Sequence, residues 1–284
     1  MPSLKEIRRR IGSTKDIQKI TRAMQTVAGV RLRDAQEHLF AARPYSEKLK
    51  ELLGRLSAQT DSNEHPLLAV REVKASALVV VTADRGFCGS FNSNVIRKAM
   101  ETYGEREPSP GMICIGRKGA ETLRRQPVTI LSDYVNVFQS LEYSDVVDIA
   151  DPLIDMYITG QIDRVDVLYN EFKSAGQQNL VMEQLLPVVP ELPKEDPFFA
   201  GYLYEPSQSV LLNELLPQHF RFQIWRMLLE SNTAEEAARM LAMDNATRNA
   251  GDLIDELTLT ANKLRQSTIT SELMDIVGGA EALK

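Results

Sequence analysis

Aromatic residues and cysteines are scarce in this sequence. Aromatic side chains make up 6% of the 284 residues and include one tryptophan, Trp225, which is little for a chain that packs entirely around one thick core. The two cysteines, Cys88 and Cys114, have no CxxC spacing. We therefore expect a reduced, cytosolic protein without a structural metal site.

Long apolar runs are also missing. No stretch approaches the ~18 apolar residues of a membrane-spanning helix, and no apolar segment typical of a secretory signal follows the basic residues near the N-terminus. The composition, 43% hydrophobic and 25% charged, excludes collagen-like, low-complexity and wholly disordered chains. We expect a globular protein of one or two domains.

Charge is distributed unevenly along the chain. The net charge is −6, but residues 1–55 carry +7, residues 56–194 carry −6 and residues 195–284 carry −7. A basic N-terminal arm is typical of nucleic-acid-binding proteins. Here it is interleaved with apolar residues and has an equally acidic counterpart at the other end of the chain. We therefore favour pairing of the two ends and expect no nucleic-acid partner.

Apolar residues at spacings of three and four predict a long helix at each end of the chain. The first covers residues 3–57, with a kink near Pro44, and the second lies within 207–284, after a short helix ended near Pro217. At ~1.5 Å per residue the first is about 80 Å long, and its apolar stripe needs a helical partner. The stripes are Leu4, Ile7, Ile11, Ile17, Ile20, Met24, Val27, Leu49, Leu52 and Leu56, and Ala250, Leu253, Leu257, Ala261, Leu264, Leu273, Ile276, Val277, Ala280 and Leu283.

The middle of the chain has the alternation of an α/β domain. Short apolar runs predict strands over 76–82, 111–115, 128–131, 165–170 and 179–189, separated by helices over 92–102, 119–125 and 146–158. This order predicts a largely parallel sheet. The fold class is α+α/β: a long antiparallel coiled coil of N- and C-terminal helices (1–57 and 207–284) on a small Rossmann-like α/β foot domain (72–200).

Two glycine-rich turns are candidates for chemistry. TADRGFCGS at 82–90 follows a buried strand, where glycines can bind phosphate and Cys88 can act as a nucleophile. It matches neither GxGxxG, GxxxxGK[ST] nor GxSxG, and the chain has only three histidines. GRKG at 116–119 fits an ordinary strand-to-helix turn equally well. We favour structural turns, with Cys88 packed as a small hydrophobe.

The acidic C-terminal pattern (Asp244, Asp252, Asp255 and Glu256) lacks the histidines or the EF-hand glycine of a metal site. We expect no catalytic, cofactor or metal site in this chain, and a protein that acts by shape and contact.

Three separated motifs resemble the gamma subunit of bacterial F-type ATP synthases. They are IRRRIGSTKDIQKITRAMQTVAGVRLRDAQ from Ile7, VTADRGFCGSFNSNV from Val81, and MLAMDNATRNAGDLIDELTLTANKLRQSTITSELMDIVGGAEAL from Met240. YNEFKSA at 169–175 and YLYEP at 202–206 are shorter matches. The family usually has an aromatic residue where this chain has Ala261, and smaller residues at Leu264 and Ser267, which affects packing in the upper shaft only.

The resemblance implies a central-stalk rotor. In that family two long helices form a shaft inside a ring of alternating alpha and beta nucleotide-binding subunits, and the foot docks with an epsilon subunit onto the membrane c-ring. One copy per complex couples proton-driven rotation to ATP synthesis elsewhere, at the cytoplasmic face of the bacterial membrane, and the chain holds no cofactor. Nothing resembles the regulatory cysteine pair of the chloroplast version or a mitochondrial presequence.

The resemblance also implies contact residues. Tyr202 and Glu205 face the membrane ring, Arg265 and Gln266 bind a loop of one catalytic subunit, and Met24 lies at the lever contact. Cations ring the shaft at and above that height: Arg8, Arg9, Arg10, Lys19 and Arg22.

Suppose that both long helices start at the foot, near Leu56 and Gln208, and rise by the same distance per residue. Met24 then lies opposite Met240, within several residues, and Ala261–Lys284 projects alone.

Two other readings stay open at this stage. One is an α/β enzyme with coiled-coil oligomerisation arms and Cys88 as nucleophile. The other is a coiled-coil adaptor or a protein with a nucleic-acid-binding arm.

Overall fold

The computed structural model describes residues 3–57, 65–189, 205 and 207–281. The helices are α1 (Leu4–Ser57), α2 (Phe91–Glu105), α3 (Arg117–Leu123), α4 (Tyr143–Ile158) and α5 (Gln208–Glu281), and the strands are β1 (Ser76–Val81), β2 (Gly111–Ile115), β3 (Ile130–Tyr134), β4 (Arg164–Ser174) and β5 (Gln177–Leu186). The chain divides into two compact units. The described residues up to Gly29 and those from Met240 onward form unit 1, and Val30–Arg239 forms unit 2.

Unit 2 contains a mixed five-stranded sheet in the order β3-β2-β1-β4-β5. The first four strands are parallel, and β5 pairs antiparallel with β4 as a hairpin. The sequence prediction of a largely parallel sheet is therefore confirmed. The strand order reverses at β1, because the chain adds β2 and β3 on one side of β1 and β4 on the other. This makes the carboxyl end of β1 the topological switch point.

Both faces of the sheet are covered. On one face, α2 and α3 pack Val95, Ala99 and Leu123 against strand residues such as Val80 and Cys114. On the other face, α4 and the parts of α1 and α5 within unit 2 form the larger apolar cluster. All six residues of β1 are buried, as expected for a central parallel strand.

Two long helices are confirmed, but the predicted break near Pro217 is wrong. Helix α5 is continuous over 74 residues and includes Pro217, just as α1 includes Pro44 over 54 residues. An interior proline costs a helix about 3 kcal/mol. Leu216 and Phe220 beside Pro217 are each 1% exposed, and burying two such side chains offsets a cost of that size.

A capping box starts α1. The backbone N–H of Glu6 donates to Ser3 Oγ (3.3 Å), and the backbone N–H of Ser3 donates to the Glu6 carboxylate (2.9 Å). Two N–H groups that have no partner within the helix are thereby satisfied.

Unit 1 is an antiparallel helix pair. Along each helix, the residues that face the other helix recur at alternating spacings of four and three, and we call this row of contacts the seam. The seam positions are Ile7, Ile11, Thr14, Gln18, Thr21, Gln25 and Ala28 on α1, and Met243, Thr247, Ala250, Ile254, Leu257, Ala261 and Leu264 on α5, all of them buried or half-buried. This is the repeat of a coiled coil.

The predicted stripe on α1 was wrong in its middle part. Ile17, Ile20 and Val27 are 54–59% exposed, and polar residues take the seam between Ile11 and Ala28. On α5 the predicted Leu253 is likewise exposed and Ile254 is in the seam. Leu273, Ile276 and Val277 are exposed as well.

Candidate functional site

The carboxyl end of β1 is where an open α/β sheet usually binds a ligand. Here the side chain of Asp84 occupies it. Its carboxylate accepts hydrogen bonds from the backbone N–H groups of Arg117 (2.9 Å), Asn136 (2.8 Å) and Phe138 (3.1 Å). Arg117 is the first residue of α3. The chain therefore places its own carboxylate where phosphate groups bind in nucleotide-binding folds.

The neighbouring glycine turn is filled as well. Thr82 Oγ1 donates to the Ile115 carbonyl (3.1 Å) and accepts from the Gly119 N–H (2.9 Å). Gly116 has φ +96°, and a Cβ there would overlap the Thr82 carbonyl. The two glycines of GRKG thus allow close packing against Thr82, as a structural turn requires.

The buried thiol of Cys88 has the wrong properties for a nucleophile. Burial raises its pKa, and the nearby Glu235 carboxylate raises it further. A catalytic cysteine needs a lowered pKa. Cys114 is buried too, and burial raises its pKa to about 11. These findings argue against Cys88 as the nucleophile of an enzyme and agree with its packing as a small hydrophobe.

A groove of about 780 Å³ in unit 2 lies between the β4–β5 hairpin and residues of the two long helices. Its charges are mostly paired with one another: Arg43 with Glu230 (3.0 Å), Arg226 with Glu183 (2.9 Å) and Lys173 with Glu171 (2.8 Å). Burial lowers the pKa of His219, also in its lining, to about 4, with the charges of Lys50 and Arg226 adding to the effect. A lining whose acidic and basic side chains are paired with one another does not resemble a set of catalytic residues.

The described residues contain no group of three or more His, Cys, Asp or Glu side chains arranged to hold a metal ion. None of the helices in the described part of the chain is both long and apolar enough to cross a membrane.

Polar residues that the apolar periodicity does not predict join the two helices of unit 1. The Thr247 hydroxyl donates to Thr21 Oγ1 (2.8 Å), and Gln25 Nε2 donates to Asp244 Oδ1 (3.0 Å). Gln18 Nε2 donates to the Thr247 carbonyl (3.4 Å). The spacing of these residues in the sequence does indicate their position, because they continue the four–three spacing from Ile11 to Ala28. A search for apolar residues misses them because they are polar.

The register of unit 1 differs from the predicted one by about five residues. A Cβ at Gly29 would lie 3.6 Å from Met240 Sδ, so Gly29 and not Met24 stands opposite Met240. Gln25 pairs with Asp244, which extends the same register. Continued to the start of α1, it places Leu4 near Arg265. The α5 residues at 265–274 are all exposed, so the unpaired part of α5 begins a turn later than the predicted Ala261.

Most of the predicted contact residues lie at the surface. Met24 is half-buried, and the five cations at 8, 9, 10, 19 and 22 are exposed, with Lys19 3.6 Å from Asp16. Arg265 and Gln266 are exposed on the unpaired part of α5, and Glu205 is exposed. Tyr202 lies outside the described residues.

The family comparison matches nearly the whole chain. The model described as "ATP synthase" matches residues 3–283, and curated relatives at up to 47% identity are called ATP synthase gamma chain. The chain belongs to the ATP synthase gamma-chain family.

The relatives of this gamma-chain family match end to end. The ATP synthase gamma chains of Pelodictyon phaeoclathratiforme and Chlorobaculum tepidum are each 47% identical over 100% of this chain, and 99% and 100% of their own lengths are covered. That of Pelotomaculum thermopropionicum is 45% identical over the whole of both chains.

Solved structures share the fold of this chain. A chain of the Tetrahymena thermophila mitochondrial ATP synthase central stalk and c-ring matches with a TM-score of 0.62 and 25% identity, over 80% of this chain and 99% of that one. A chain of the Euglena gracilis mitochondrial ATP synthase matches with a TM-score of 0.69 and 23% identity, over 99% of this chain and 94% of that one.

Proposed function

We propose that this chain is the central-stalk rotor subunit of an F-type H⁺-transporting ATP synthase. It couples proton-driven rotation of a membrane c-ring to ATP synthesis at sites on other subunits. The observation that carries the proposal is the full-length match to gamma chains, together with a helix pair whose outward side chains include exposed apolar residues. Such residues are typical of surfaces that other proteins cover.

In this proposal the chain makes no bond and binds no nucleotide. It supports catalysis because an asymmetric shaft makes different contacts with each catalytic subunit as it turns. Each orientation therefore stabilises a different conformation of a given site, and rotation shifts the populations of those conformations in sequence. The Asp84 carboxylate at the switch point supports this proposal, because it already accepts hydrogen bonds from the backbone N–H groups there that a nucleotide phosphate would need.

Segments 1–57 and 207–284 are the proposed shaft, and 72–200 is the proposed foot. The partners are one ring of alternating alpha and beta subunits, an epsilon subunit and the c-ring, with one copy of this chain per complex and no nucleic acid. Because the relatives named above are bacterial, we place the complex at the cytoplasmic face of a bacterial cell membrane, with this chain as a peripheral component.

The proposed contacts with the alpha and beta ring are Arg265, Gln266, Met24 and the five cations of α1. Exposed charge pairs contribute only about 0–1 kcal/mol each, so the cations act together to orient the contact rather than to hold it. Glu205 is exposed and, with Tyr202, is the proposed contact with the membrane ring.

Co-purification tests the proposal. An affinity tag on this chain should recover nucleotide-binding subunits in a fixed ratio to one copy of this chain. Recovery of the chain alone, or with subunits in no fixed ratio, would contradict it. A single-copy result also separates the rotor from an enzyme with oligomerisation arms, which would self-associate.

A further inference from the structure

Three ionisable side chains are buried where the loop after β1 meets α5. Glu235, Glu236 and Arg239 are 4%, 6% and 7% exposed; we call them the 235–239 cluster. Arg239 Nη2 pairs with the Glu235 carboxylate, and Arg239 Nη1 lies 2.7 Å from Glu236 Oε1. Arg239 Nε donates to the Gly86 carbonyl (3.4 Å). One guanidinium thus binds two carboxylates and the loop together.

The cluster has more negative than positive charge. From α1, Arg31 reaches Glu236 at 3.8 Å, but its side chain is 48% exposed. From the loop, Asp84 adds a further negative charge and Cys88 contributes a protonated thiol. Glu236 Oε2 is buried without a hydrogen-bond partner among the described residues. Two carboxylates that share one cation in a buried site do not both ionise readily, so the arrangement favours uptake of one proton.

Glu235 is the group that takes the proton. Burial raises its pKa to about 7; Arg239 opposes the shift through its charge and hydrogen bond, and the charges of Glu236 and Asp84 add to it. If the loop moves away from α5, water reaches the carboxylate and its pKa returns towards the ordinary value near 4.3. The closed arrangement therefore binds the proton more tightly than the open one.

We propose that Glu235 is a proton-operated latch: with its proton bound it holds the 84–88 loop against α5, and loss of the proton releases the loop. Because the closed form has the higher proton affinity, its advantage is complete at low pH and falls as pH rises towards neutrality. The loop carries Phe87, which is 72% exposed and has φ 62°. The latch thus makes the population of the closed loop, and with it the position of the exposed Phe87 side chain, depend on pH.

Direct titration of the full chain is the first test. With ¹³C-labelled glutamate, the side-chain carboxyl signal of Glu235 should titrate near pH 7 in the wild-type chain. Glu236→Gln removes one of the two competing carboxylates and should move that midpoint downward. A midpoint of Glu235 between 4 and 5 in the wild-type chain would overturn the proposal.

Hydrogen exchange of the Arg117, Asn136 and Phe138 amides, which donate to the Asp84 carboxylate at the start of the loop, is the second test. After correction for intrinsic rates, the opening constant should rise about tenfold between pH 6 and pH 8.5 in the wild-type chain. Glu235→Gln, which imitates the protonated side chain, should remove this rise, whereas Glu214→Gln at an exposed position of α5 should keep it. Equal pH dependence in the wild type and in Glu235→Gln would overturn the proposal.

Discussion

The Thr247 hydroxyl donates a 2.8 Å hydrogen bond to the hydroxyl of Thr21, across a seam where coiled coils usually pair apolar side chains. A polar residue at such a position lowers stability but specifies register, because any other alignment loses the hydrogen bond between the helices. Gln25 and Asp244 repeat the arrangement one turn away. The polar part of the seam thus sets the alignment of the helix pair in unit 1.

This register predicts which engineered cysteines form a disulfide. Gln25→Cys with Asp244→Cys should crosslink under mild oxidation, because the two positions stand opposite each other in the observed register. Met24→Cys with Met240→Cys should not, since the observed register separates these positions by about five residues, or roughly 7 Å along the helix axis. Non-reducing electrophoresis in a background without Cys88 and Cys114 measures both. Crosslinking of the 24–240 pair alone would contradict the register.

Asp84 is expected to be a stability residue. Asp84→Ala leaves the N–H groups of Arg117, Asn136 and Phe138 without their acceptor. Each orphaned donor costs about 1–3 kcal/mol, so we expect a loss of roughly 3 kcal/mol or more in the free energy of unfolding. Asp84→Asn keeps one oxygen acceptor and should lose less.

Urea unfolding of the full chain measures the effect, with the exposed Asp148→Ala as the matched control. If Asp84→Ala were as stable as that control, the carboxylate would not organise the switch point.

Much of the fold was predictable because it follows from periodicity. The strands at 76–81 and 111–115 are short apolar runs buried on both faces, and the two long helices have continuous spacings of three and four. The predicted break at Pro217 was wrong because burial of Leu216 and Phe220 in the core of unit 2 outweighs the cost of a proline inside a helix. No local sequence pattern shows that burial.

The polar seam and the 235–239 cluster were not predictable in the same way. Ile17, Ile20 and Val27 form a more apolar stripe than the seam itself, so hydrophobicity alone selects the wrong face of α1. Glu235, Glu236 and Arg239 have the i,i+3 and i,i+4 spacings of ordinary solvated pairs on a helix. They are buried because the loop after β1 and helix α1 contact them, and these are tertiary contacts.

Arg265 and Gln266 test the proposed contact with a catalytic subunit. Both are exposed on the unpaired part of α5, so replacing both with alanine should leave the fold of this chain unchanged. We expect ATP turnover or assembly of the complex to fall about tenfold to a hundredfold, as loss of a hydrogen bond to a charged group implies.

Lys263→Ala, exposed on the same helix, is the matched control for that pair, and deletion of residues 279–284 should be tolerated. Turnover and assembly equal to the Lys263→Ala variant would make Arg265 and Gln266 ordinary surface residues.

Glu205 tests the proposed contact with the membrane ring. Glu205→Lys reverses an exposed charge and should weaken ATP-driven proton pumping in membranes while hydrolysis by the detached soluble part stays normal. Only the first activity needs the contact with the ring. Glu214→Lys makes the same change at another exposed position and should not uncouple. Unchanged ATP-driven proton pumping by Glu205→Lys would show that this residue does not contact the membrane ring.

His219 and Glu235 should make opposite contributions to the pH dependence of the free energy of unfolding. Burial lowers the pKa of His219 to about 4. The unfolded chain, with a histidine pKa near 6.5, therefore binds more protons than the folded chain between pH 4 and 6.5, and stability rises with pH there. Burial raises the pKa of Glu235 to about 7, so the folded chain binds more protons between pH 4.5 and 7, and this contribution falls with pH. Over pH 5–6.5 each amounts to about 1–2 kcal/mol, and they largely cancel.

Single substitutions should expose the two contributions. Relative to the wild type, His219→Gln should lose about 1–2 kcal/mol of unfolding free energy as pH rises from 5 to 6.5, because only the falling contribution of Glu235 remains. Glu235→Gln should gain a similar amount, because only the rising contribution of His219 remains. Urea unfolding at half-unit pH intervals measures both differences. Parallel curves for the two variants would show that neither group titrates differently in the folded and unfolded chains.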